Sequence, residues 1–494
     1  MDQPQNPAAS ALRRVAIDPV SRVEGHGRIT LLLDEAGHVH EARFHIVEFR
    51  GFEKFIQGRP YGDVPFIVQR LCGICPVSHQ LAAAKAVDQL IGVERLTPTA
   101  LKLRRLLHFG QVLQSHALHF FHLASPDLLF GFGSDAARRN IVGVLERHPE
   151  LGMKGVRLRK YGQRIIEAIA GKRVHGTATV PGGMNKVLDT QQRDALLADV
   201  ADAIAWCQEA VALNEEIHRS HGEHRDFGTV HSHFLSLIGD DGALELYHGG
   251  LRARSATGEL ILDGVDYRRY GELLSEEVRP WSYMKFPFLQ SVGRDNGWYR
   301  VGPLSRVNNC DVIPTPLAEA ARKRFRDYGD GGLVHDTLAY HWARMIEALH
   351  CAESIELLLH DSEITGGELV VAEGERRREG IGVIEAPRGT LFHHYRVDDE
   401  GLIEKANLIV STTSNNQAMN ASVRAVAERY LDGQTLTEGL LNHLEVAIRA
   451  YDPCLSCATH ALGRMPLQVE LVDAAGRLVD CLSKGSGGDF ARGG

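Results

Sequence analysis

Long hydrophobic runs are absent from this sequence of 494 residues. No segment supplies the roughly 18 consecutive apolar residues that a membrane-spanning helix needs. The stretch from Met1 to Arg14 contains no apolar core followed by a small-residue cleavage site, which is the pattern of a secretory signal. The sequence therefore predicts a cytoplasmic protein without a membrane span.

An excess of positive charge is also absent, since the formal net charge is −8 at pH 7. Binding to the phosphates of nucleic acids needs a basic surface, so we expect no nucleic-acid partner. No glycine-rich nucleotide fingerprint follows a predicted strand. We therefore expect neither NAD nor a flavin to bind to this chain.

Cysteine is scarce, and eight cysteines in a chain of this length do not make a disulfide framework. Four of them form two Cys-x-x-Cys pairs, Cys72 with Cys75 and Cys454 with Cys457. In a cytoplasmic protein such pairs indicate metal or redox chemistry. No third cysteine cluster exists, so we expect no iron–sulfur cluster in this chain.

The hydrophobic periodicity predicts a mainly helical α+β fold, with a large central helical bundle and a small N-terminal sheet. Apolar residues alternate at 29–33 and again at 42–46, which is typical of strands. Helical spacing recurs at 79–90, 101–123, 156–170, 192–218, 336–359 and 436–450, and shorter extended pieces lie at 259–262 and 381–384.

The two ends of the chain depart from this pattern. Residues 1–14 are predicted to be a flexible N-terminus, and residues 15–460 to form one large domain. After residue 460, a strand-like stretch at 467–472 precedes a glycine-rich tail from Lys484 to Gly494. That composition predicts disorder in the tail.

Each cysteine pair can bind one metal from a tight turn, which Gly73 permits in the first pair and Pro453 helps to fix in the second. Four thiolates suit zinc, iron–sulfur or nickel. Spacing alone leaves a structural zinc site open, but such sites usually keep their pairs ~15–20 residues apart. Here hundreds of residues separate the pairs, which favours a deep central site. A thioredoxin-like pair is disfavoured, because neither motif lies in a βαβ context.

The residues around both pairs resemble the first and last cysteine motifs of nickel–iron hydrogenase large subunits. These segments read RLCGICPVSH at 70–79 and YDPCLSCATH at 451–460. The segments DPVSRVEGHG at 18–27, FRGFE at 49–53, PGG at 181–183 and EAPRG at 385–389 also resemble that family, in the same order. The resemblance runs from about residue 15 to the C-terminus and implies the fold of that family.

Three further segments make the chain most similar to the cytoplasmic NAD-reducing, or bidirectional, members of the family. They read QSHAL at 114–118, WSYMKFP at 281–287 and ATHALG at 458–463. Cytoplasmic viologen- or deazaflavin-linked hydrogenases share part of this pattern and remain an alternative.

The resemblance implies that all four cysteines bind nickel, and that Cys75 and Cys457 also bridge to an iron carrying cyanide and carbon monoxide. Thiolates are soft enough to hold low-valent nickel and can accept protons transiently. The resemblance also implies that Glu24 accepts a proton from a terminal cysteine and passes it outward.

Four further residues receive roles from the same resemblance. Glu53 and His460 would hold a magnesium ion, with water and a backbone carbonyl completing its shell. Arg388 would stand over the metals with Asp452 close by, where a fixed guanidinium can polarise dihydrogen or hold a base in place.

The surroundings of the metals show departures from the family pattern. His79 is expected to hydrogen-bond a bridging sulfur, Pro387 to lie beside the metals, and Thr412 to donate to a cyanide. The run STTSN at 411–415 lacks the proline and tryptophan that most members have there, which weakens the assignment of Thr412. Ser115 replaces the aspartate of many membrane-linked members, so Arg388 should depend more on Asp452.

The implied reaction is the reversible oxidation of dihydrogen to protons and electrons. Electrons would leave through an iron–sulfur small subunit and continue to flavin- and NAD-binding diaphorase subunits. Nickel-insertion proteins and a maturation protease are expected as transient partners, the protease cutting between His460 and Ala461 to remove residues 461–494. A hydrogen sensor with the same metals remains open, whereas the four cysteines disfavour the related quinone-reductase subunit.

Overall fold

The computed structural model describes residues 13–459, 467–472, 478–484 and 490–493. Its strands, numbered along the chain, are β1 Arg13–Ile17, β2 Gly27–Leu33, β3 Val39–Ile46, β4 Thr179–Val180, β5 Gly183–Met184, β6 His233–Ile238, β7 Gly250–Arg254, β8 Leu260–Val265, β9 Leu274–Glu277, β10 Phe286–Leu289, β11 Tyr299–Arg300, β12 Glu379–Ala386, β13 Gly389–Val397, β14 Ile403–Ile409, β15 Leu467–Val472, β16 Leu478–Lys484 and β17 Phe490–Gly493.

The helices are α1 Phe52–Phe55, α2 Val64–Ile67, α3 Pro76–Leu90, α4 Pro98–Leu118, α5 Ser125–Phe130, α6 Ile141–Arg147, α7 Pro149–Ala170, α8 Thr190–Ser220, α9 Tyr270–Leu273, α10 Pro303–Asn309, α11 Pro316–Tyr328, α12 Ala339–His360, α13 Ser411–Ser414, α14 Asn416–Tyr430 and α15 Glu438–Ala450. None of the helices in the described part of the chain combines the length and apolar character that a bilayer crossing requires.

The central bundle is built from α4, α7, α8 and α12, which pack extensively on one another. This confirms the helices that the apolar periodicity of the sequence predicted. At its C-terminal end α4 continues into a π-helical turn, His119–Ala124. Such turns often occur near functional sites, and this one lies beside the chain segment that carries the second cysteine pair, because His119 contacts Arg449.

The predicted N-terminal sheet is confirmed as the antiparallel order β1-β2-β3, with Ile29 opposite Phe44. Ile29, Leu31 and Leu33 all face the core and are buried. Three additional groups of strands carry more of the fold than the sequence indicated. They are the sheet β11-β6-β7-β8, the sheet β12-β13-β14 and the hairpin of β9 with β10.

The predictions of a flexible N-terminus over residues 1–14 and of a disordered glycine-rich tail both need correction. Arg13 and Arg14 belong to β1, where they pair with Leu33 and Leu32, so they are not part of a flexible N-terminus. The stretch at 467–472 is a strand, as predicted, but the glycine-rich tail is not wholly disordered. Residues 490–493 form β17, because pairing with β16 satisfies their backbone groups. The predicted cleavage site at His460 and Ala461 lies outside the described residues.

Helix α3 lies directly on strand β12 because two glycines leave room for it. A Cβ atom added to Gly382 would lie 1.9 Å from the carbonyl oxygen of Ala82, and one added to Gly380 would lie 2.1 Å from that of Ala86. Helix α3 follows Cys75, and β12 leads into the loop with Arg388. The glycines therefore set the distance between two elements that carry candidate site residues.

A buried guanidinium joins two segments that lie far apart in the sequence. Arg449, at the end of α15, donates to the carbonyl oxygen of Ser21 at 3.1 Å and to Asp127 Oδ2 at 2.8 Å. Arg22 also donates to Asp127, at 2.6 Å. Charge-assisted bonds of this kind are strong where water is excluded. They hold the loop before β2 against the segment that follows α15.

Candidate metal centre

The sulfur atoms of Cys72, Cys75, Cys454 and Cys457 converge, all lying within 4.8 Å of one another. All four side chains are buried. Cys72 Sγ lies 3.4 Å from Cys454 Sγ, and Cys75 Sγ lies 3.8 Å from Cys457 Sγ, so each contact joins one motif to the other. Across the part of the chain that the structure describes, this is the only cluster of His, Cys, Asp or Glu able to share one metal ion.

The first motif folds around its own sulfur. Cys72 Sγ accepts hydrogen bonds from the backbone N–H groups of Ile74 at 3.2 Å and Cys75 at 3.1 Å. Pro76 then begins α3, a position where its missing N–H costs nothing. The turn therefore presents both sulfurs on one side.

The second motif is held by contacts with distant parts of the chain. Asp452 adopts a left-handed backbone conformation, with φ 52°. The N–H of Cys454 donates to Thr412 Oγ1 at 3.0 Å, and that of Leu455 donates to the carbonyl oxygen of Glu24 at 3.0 Å. The strained residue is thus stabilised by bonds on its C-terminal side.

The four thiols are not electrostatically equivalent. Burial raises the pKa of Cys454 and of Cys457 well above the usual range. Burial also acts to raise the pKa of Cys72, but the neighbouring thiols donate to its sulfur and Arg388 is close, so the net pKa falls well below the usual range. The cluster thus favours a thiolate at Cys72.

Glu24 is connected to the cluster by its side chain as well as by its backbone. Its Oε2 atom lies 3.0 Å from Cys454 Sγ and accepts from the N–H of Ser456 at 3.1 Å. The residue is half-buried. A carboxylate with one end at a thiol and partial access to solvent can move a proton between them.

Arg388 and Asp452 form a buried ion pair beside the sulfurs. Arg388 donates from Nε to the carbonyl oxygen of Asp452 at 2.6 Å and from its terminal nitrogen to Oδ1 at 3.0 Å. Its contact with Ser115 Oγ is longer, 3.5 Å. Burial alone would lower the pKa of Arg388, but Asp452 and the cysteines raise it well above the usual range. Arg388 thus bonds Asp452 more closely than it bonds Ser115.

A small cavity of about 10 Å³ adjoins Cys75, Cys454 and Cys457. His79, Pro387, Arg388 and Thr412 are among the other residues that line it. The Thr412 hydroxyl already accepts from the N–H of Cys454, which leaves its own proton available to the cavity. His79 Nδ1 lies 3.1 Å from His393 Nε2. The predicted bond from His79 to a bridging sulfur stays a prediction.

Glu53 is buried at the start of α1, which argues against a solvated helix-start acid. Its Oε1 accepts from the N–H of Leu408 at 2.7 Å. The carbonyl oxygen of Thr459 accepts from the N–H groups of Arg50 at 2.9 Å and Gly51 at 3.4 Å. The end of the last motif thus bonds the backbone just before Glu53. His460, its predicted partner, lies outside the described residues.

The sequence interpretation missed a buried carboxylate network next to the site. His116 Nε2 lies 2.8 Å from Glu347 Oε1, and Arg306 bonds both Glu347 and Glu385. Burial lowers the pKa of His116 to about 4, which keeps its ring neutral. The carboxylate comes from α12, where charged residues inside an otherwise apolar helix were the available signal.

The geometry fits a soft or borderline metal. Four buried sulfurs from two motifs converge at one point, a carboxylate and a guanidinium flank them, and a cavity adjoins three of the four cysteines. A structural zinc site would need neither the cavity nor the flanking charges.

Comparison with known families identifies the class of protein. The family model for nickel-dependent hydrogenases matches residues 50–129 and 255–460, and a model described as HoxL-like matches residues 14–49. The chain belongs to the nickel-dependent hydrogenase family and is a nickel–iron hydrogenase large subunit with the fold of that family.

Within the family the chain is similar to NAD-linked members. It is 48% identical to the NAD-reducing hydrogenase HoxS subunit beta of Cupriavidus necator, over 95% of this chain and 99% of the relative. A crystal structure of an NAD+-reducing [NiFe]-hydrogenase in the H2-reduced state matches with TM-score 0.89 and 58% identity, covering 91% of this chain and 99% of that one. The [NiFeSe]-hydrogenase of Dm. baculatum, 24% identical, shares the fold with TM-score 0.74 over 91% and 100% of the two chains.

Proposed function

We propose that this chain splits dihydrogen reversibly into two protons and two electrons, and that the electrons reach NAD through partner subunits. The observation that carries the proposal is the convergence of four buried cysteine sulfurs with Glu24 on one side and Arg388 on the other. Similarity to NAD-reducing hydrogenases over nearly the whole chain supports the choice of acceptor.

The four cysteines would hold nickel, with Cys75 and Cys457 also binding an iron that carries cyanide and carbon monoxide. Both of these cysteines line the cavity, as Cys454 does, whereas Cys72 does not, so the cavity leaves room for the iron beside them. When bound, the metal pair supplies the electrophilic centre that heterolytic cleavage of dihydrogen needs. The backbone around Pro387 and the Thr412 hydroxyl would enclose small diatomic ligands.

The proton would leave through Cys454 and Glu24. Cys454 Sγ can hold a proton and pass it to Glu24 Oε2 over the observed 3.0 Å. The N–H of Ser456 donates to the same oxygen and keeps it turned toward the sulfur. Because Glu24 is half-buried, the proton can continue to solvent from there.

Arg388 would act as a fixed positive charge above the open side of the metals. Its two bonds to Asp452 remove most of its freedom, so the guanidinium needs no rearrangement during the reaction. Asp452 is therefore a positioning residue for Arg388.

We further propose that a magnesium ion joins Glu53 to His460. Thr459 is bonded to the backbone of Arg50 and Gly51, which supports a position for the next residue near Glu53. Carboxylate and water suit this hard ion, although imidazole is a less usual ligand for it.

An iron–sulfur small subunit would dock next to Arg50 and carry the electrons away. The large apolar side chains of Val47, Phe49 and Phe55 are exposed around this position. Arg50 donates to the carbonyl oxygen of Leu71 at 2.9 Å, one residue before Cys72. A partner seated on these side chains would cover exposed apolar surface and come close to the cysteine cluster.

The diaphorase subunits, with flavin and NAD, would join the small subunit, and a reaction that consumes NAD would place the complex in the cytoplasm. Maturation would require nickel-insertion proteins and a protease that cuts after His460. The match to the hydrogenase family model ends at residue 460, which supports this boundary.

The acceptor is tested on the complex purified with its native partners. We expect dihydrogen-dependent reduction of NAD+ at a rate comparable with viologen reduction. Viologen reduction without NAD+ reduction would contradict the NAD assignment and favour another cytoplasmic hydrogenase. Binding of dihydrogen without steady turnover with either acceptor would instead favour a sensor.

A further inference from the structure

A second pocket, separate from the cysteine cluster, opens near the C-terminal half of α3. Its volume is about 600 Å³, within the range of small-molecule sites. Lys85 lines it, together with the rings of Tyr247 and Tyr267. Lys85 follows Cys75 by ten residues along the helix, which corresponds to about 15 Å of rise.

Lys85 is the unusual member of this pocket, because its charge is buried without a carboxylate partner. Its Nζ atom donates to the carbonyl oxygens of Tyr247 at 2.5 Å and Val383 at 2.6 Å. The same atom lies 5.0 Å from the ring centre of Tyr247 and 4.9 Å from that of Tyr267. Among the described residues, no ion pair joins this amine to a carboxylate.

The neighbouring cations differ from Lys85 in this respect. Lys102, which lines the same pocket, bonds Asp361 at 2.5 Å and Glu363 at 2.7 Å. Arg268 is paired with Asp266. These two charges are already compensated by the protein. Lys85 is the buried cation of this pocket for which a ligand would supply the missing partner.

The pKa of Lys85 is consistent with an amine that is buried without an ion-pair partner. Burial lowers the pKa of Lys85 to about 7, with Arg104 and Arg105 acting in the same direction and Glu245 and Asp88 opposing it. His248, also in the pocket, is kept neutral because burial lowers its pKa to about 3. An ammonium has three N–H donors, and two are used by the backbone. The third is available to a ligand.

The pocket also has an apolar lining. It is contributed by Val93, Leu96, Pro98 and Leu101. We propose that this pocket binds a small organic anion, with a carboxylate or phosphate group on Lys85 and an apolar body along these side chains. The site does not depend on the metal centre or on its activity.

The test uses pyridoxal 5′-phosphate as a probe on the intact wild-type complex. The neutral amine of Lys85 attacks the aldehyde carbon, water leaves, and borohydride reduces the resulting imine to a stable secondary amine. Peptide mass spectrometry then locates the label. Lys102 is the internal control, since its hydrogen bonds to Asp361 and Glu363 raise its pKa.

We expect Lys85 to be labelled at least about tenfold faster than Lys102 near neutral pH. Its labelling should rise about tenfold between about pH 6 and about pH 8, as the amine loses its proton. Added phenyl phosphate should suppress the label on Lys85, whereas inorganic phosphate, which lacks an apolar body, should protect it much less.

A Lys85→Met variant, which keeps an apolar stem of similar length, should lose saturable binding of phenyl phosphate measured by calorimetry. If this variant does not fold, the labelling rates of Lys85 and Lys102 in the wild type still test the proposal. Labelling of Lys85 no faster than Lys102, or labelling that phenyl phosphate leaves unchanged, would overturn the proposal.

Discussion

Glu24 contacts three atoms of the second cysteine motif, and this makes its proposed proton-transfer role separable from its structural role. The backbone carbonyl bonds Leu455, while Oε2 contacts Cys454 Sγ and the N–H of Ser456. Glu24→Gln removes the titratable proton but preserves the backbone bond and an acceptor oxygen for Ser456. The substitution should therefore affect chemistry and spare assembly.

For Glu24→Gln we predict wild-type nickel content and a fall of at least about 100-fold in dihydrogen/deuterium exchange, the usual contribution of a positioned acid–base group. The matched control is Glu48→Gln, which alters an exposed pair with His26 in the same region and should exchange isotopes normally. Exchange by Glu24→Gln at the wild-type rate would exclude it as the relay.

At the scale of elements, the approach of α3 to β12 sets the geometry of the site. The Gly382 position has no space for a Cβ atom, since Ala82 O would lie 1.9 Å away and Ala86 N 2.7 Å away. Gly382→Ala must therefore separate helix and strand. The helix follows Cys75 and the strand leads to Arg388, so both sides of the site should shift.

We predict that Gly382→Ala lowers the free energy of unfolding by at least about 2 kcal/mol, in the range of overpacked cores. Nickel retention should fall with it. Gly271→Ala is the control, because nothing lies within 4 Å of the added Cβ atom there. Chemical denaturation and nickel analysis of both variants check this. Equal stability of the two variants would show that α3 and β12 can separate freely.

The helices and the first sheet could be predicted from the sequence because their apolar periods are regular. Ile29, Leu31 and Leu33 alternate as a half-buried strand does, and all are buried. The sheet β11-β6-β7-β8 could not, since its strands are short and β11 joins β6 in parallel from far along the chain. Strand β17 was missed because composition does not reveal pairing with β16.

Some features of the candidate site could likewise be predicted from the sequence, and others could not. Convergence of the four cysteines was predicted from the order and flanks of their motifs, which local periodicity alone could not have supplied. The partner of His116 was not predicted, because Glu347 lies on a different helix and pairs only in the folded chain. The pocket at Lys85 also depends on tertiary contacts, with Tyr247 and Val383.

At the scale of the whole molecule, segments from near the two ends of the sequence meet at the cysteine cluster. Cys454 lies against Glu24, and Thr459 is bonded to Arg50 and Gly51. If the metals are inserted after the chain has folded, as we propose, these contacts must stay open during assembly, which an extension beyond residue 460 would allow. We therefore predict that residues 461–494 are absent from the active enzyme.

Intact-mass analysis of active complex should give a chain that ends at His460. A gene truncated after residue 460 is the matched control, and its product should lack nickel if the extension keeps the site open for insertion. A full-length chain that carries nickel and has full activity would refute cleavage as a requirement for activity.

The central claim is that the four cysteines hold nickel with iron. Elemental analysis of the purified complex, combined with its infrared spectrum, tests it most directly. We predict nickel equimolar with this chain, iron beyond that of any partner clusters, and cyanide and carbonyl bands that disappear in Cys75→Ala and Cys457→Ala. Equimolar zinc without nickel, and a spectrum without those bands, would contradict the account.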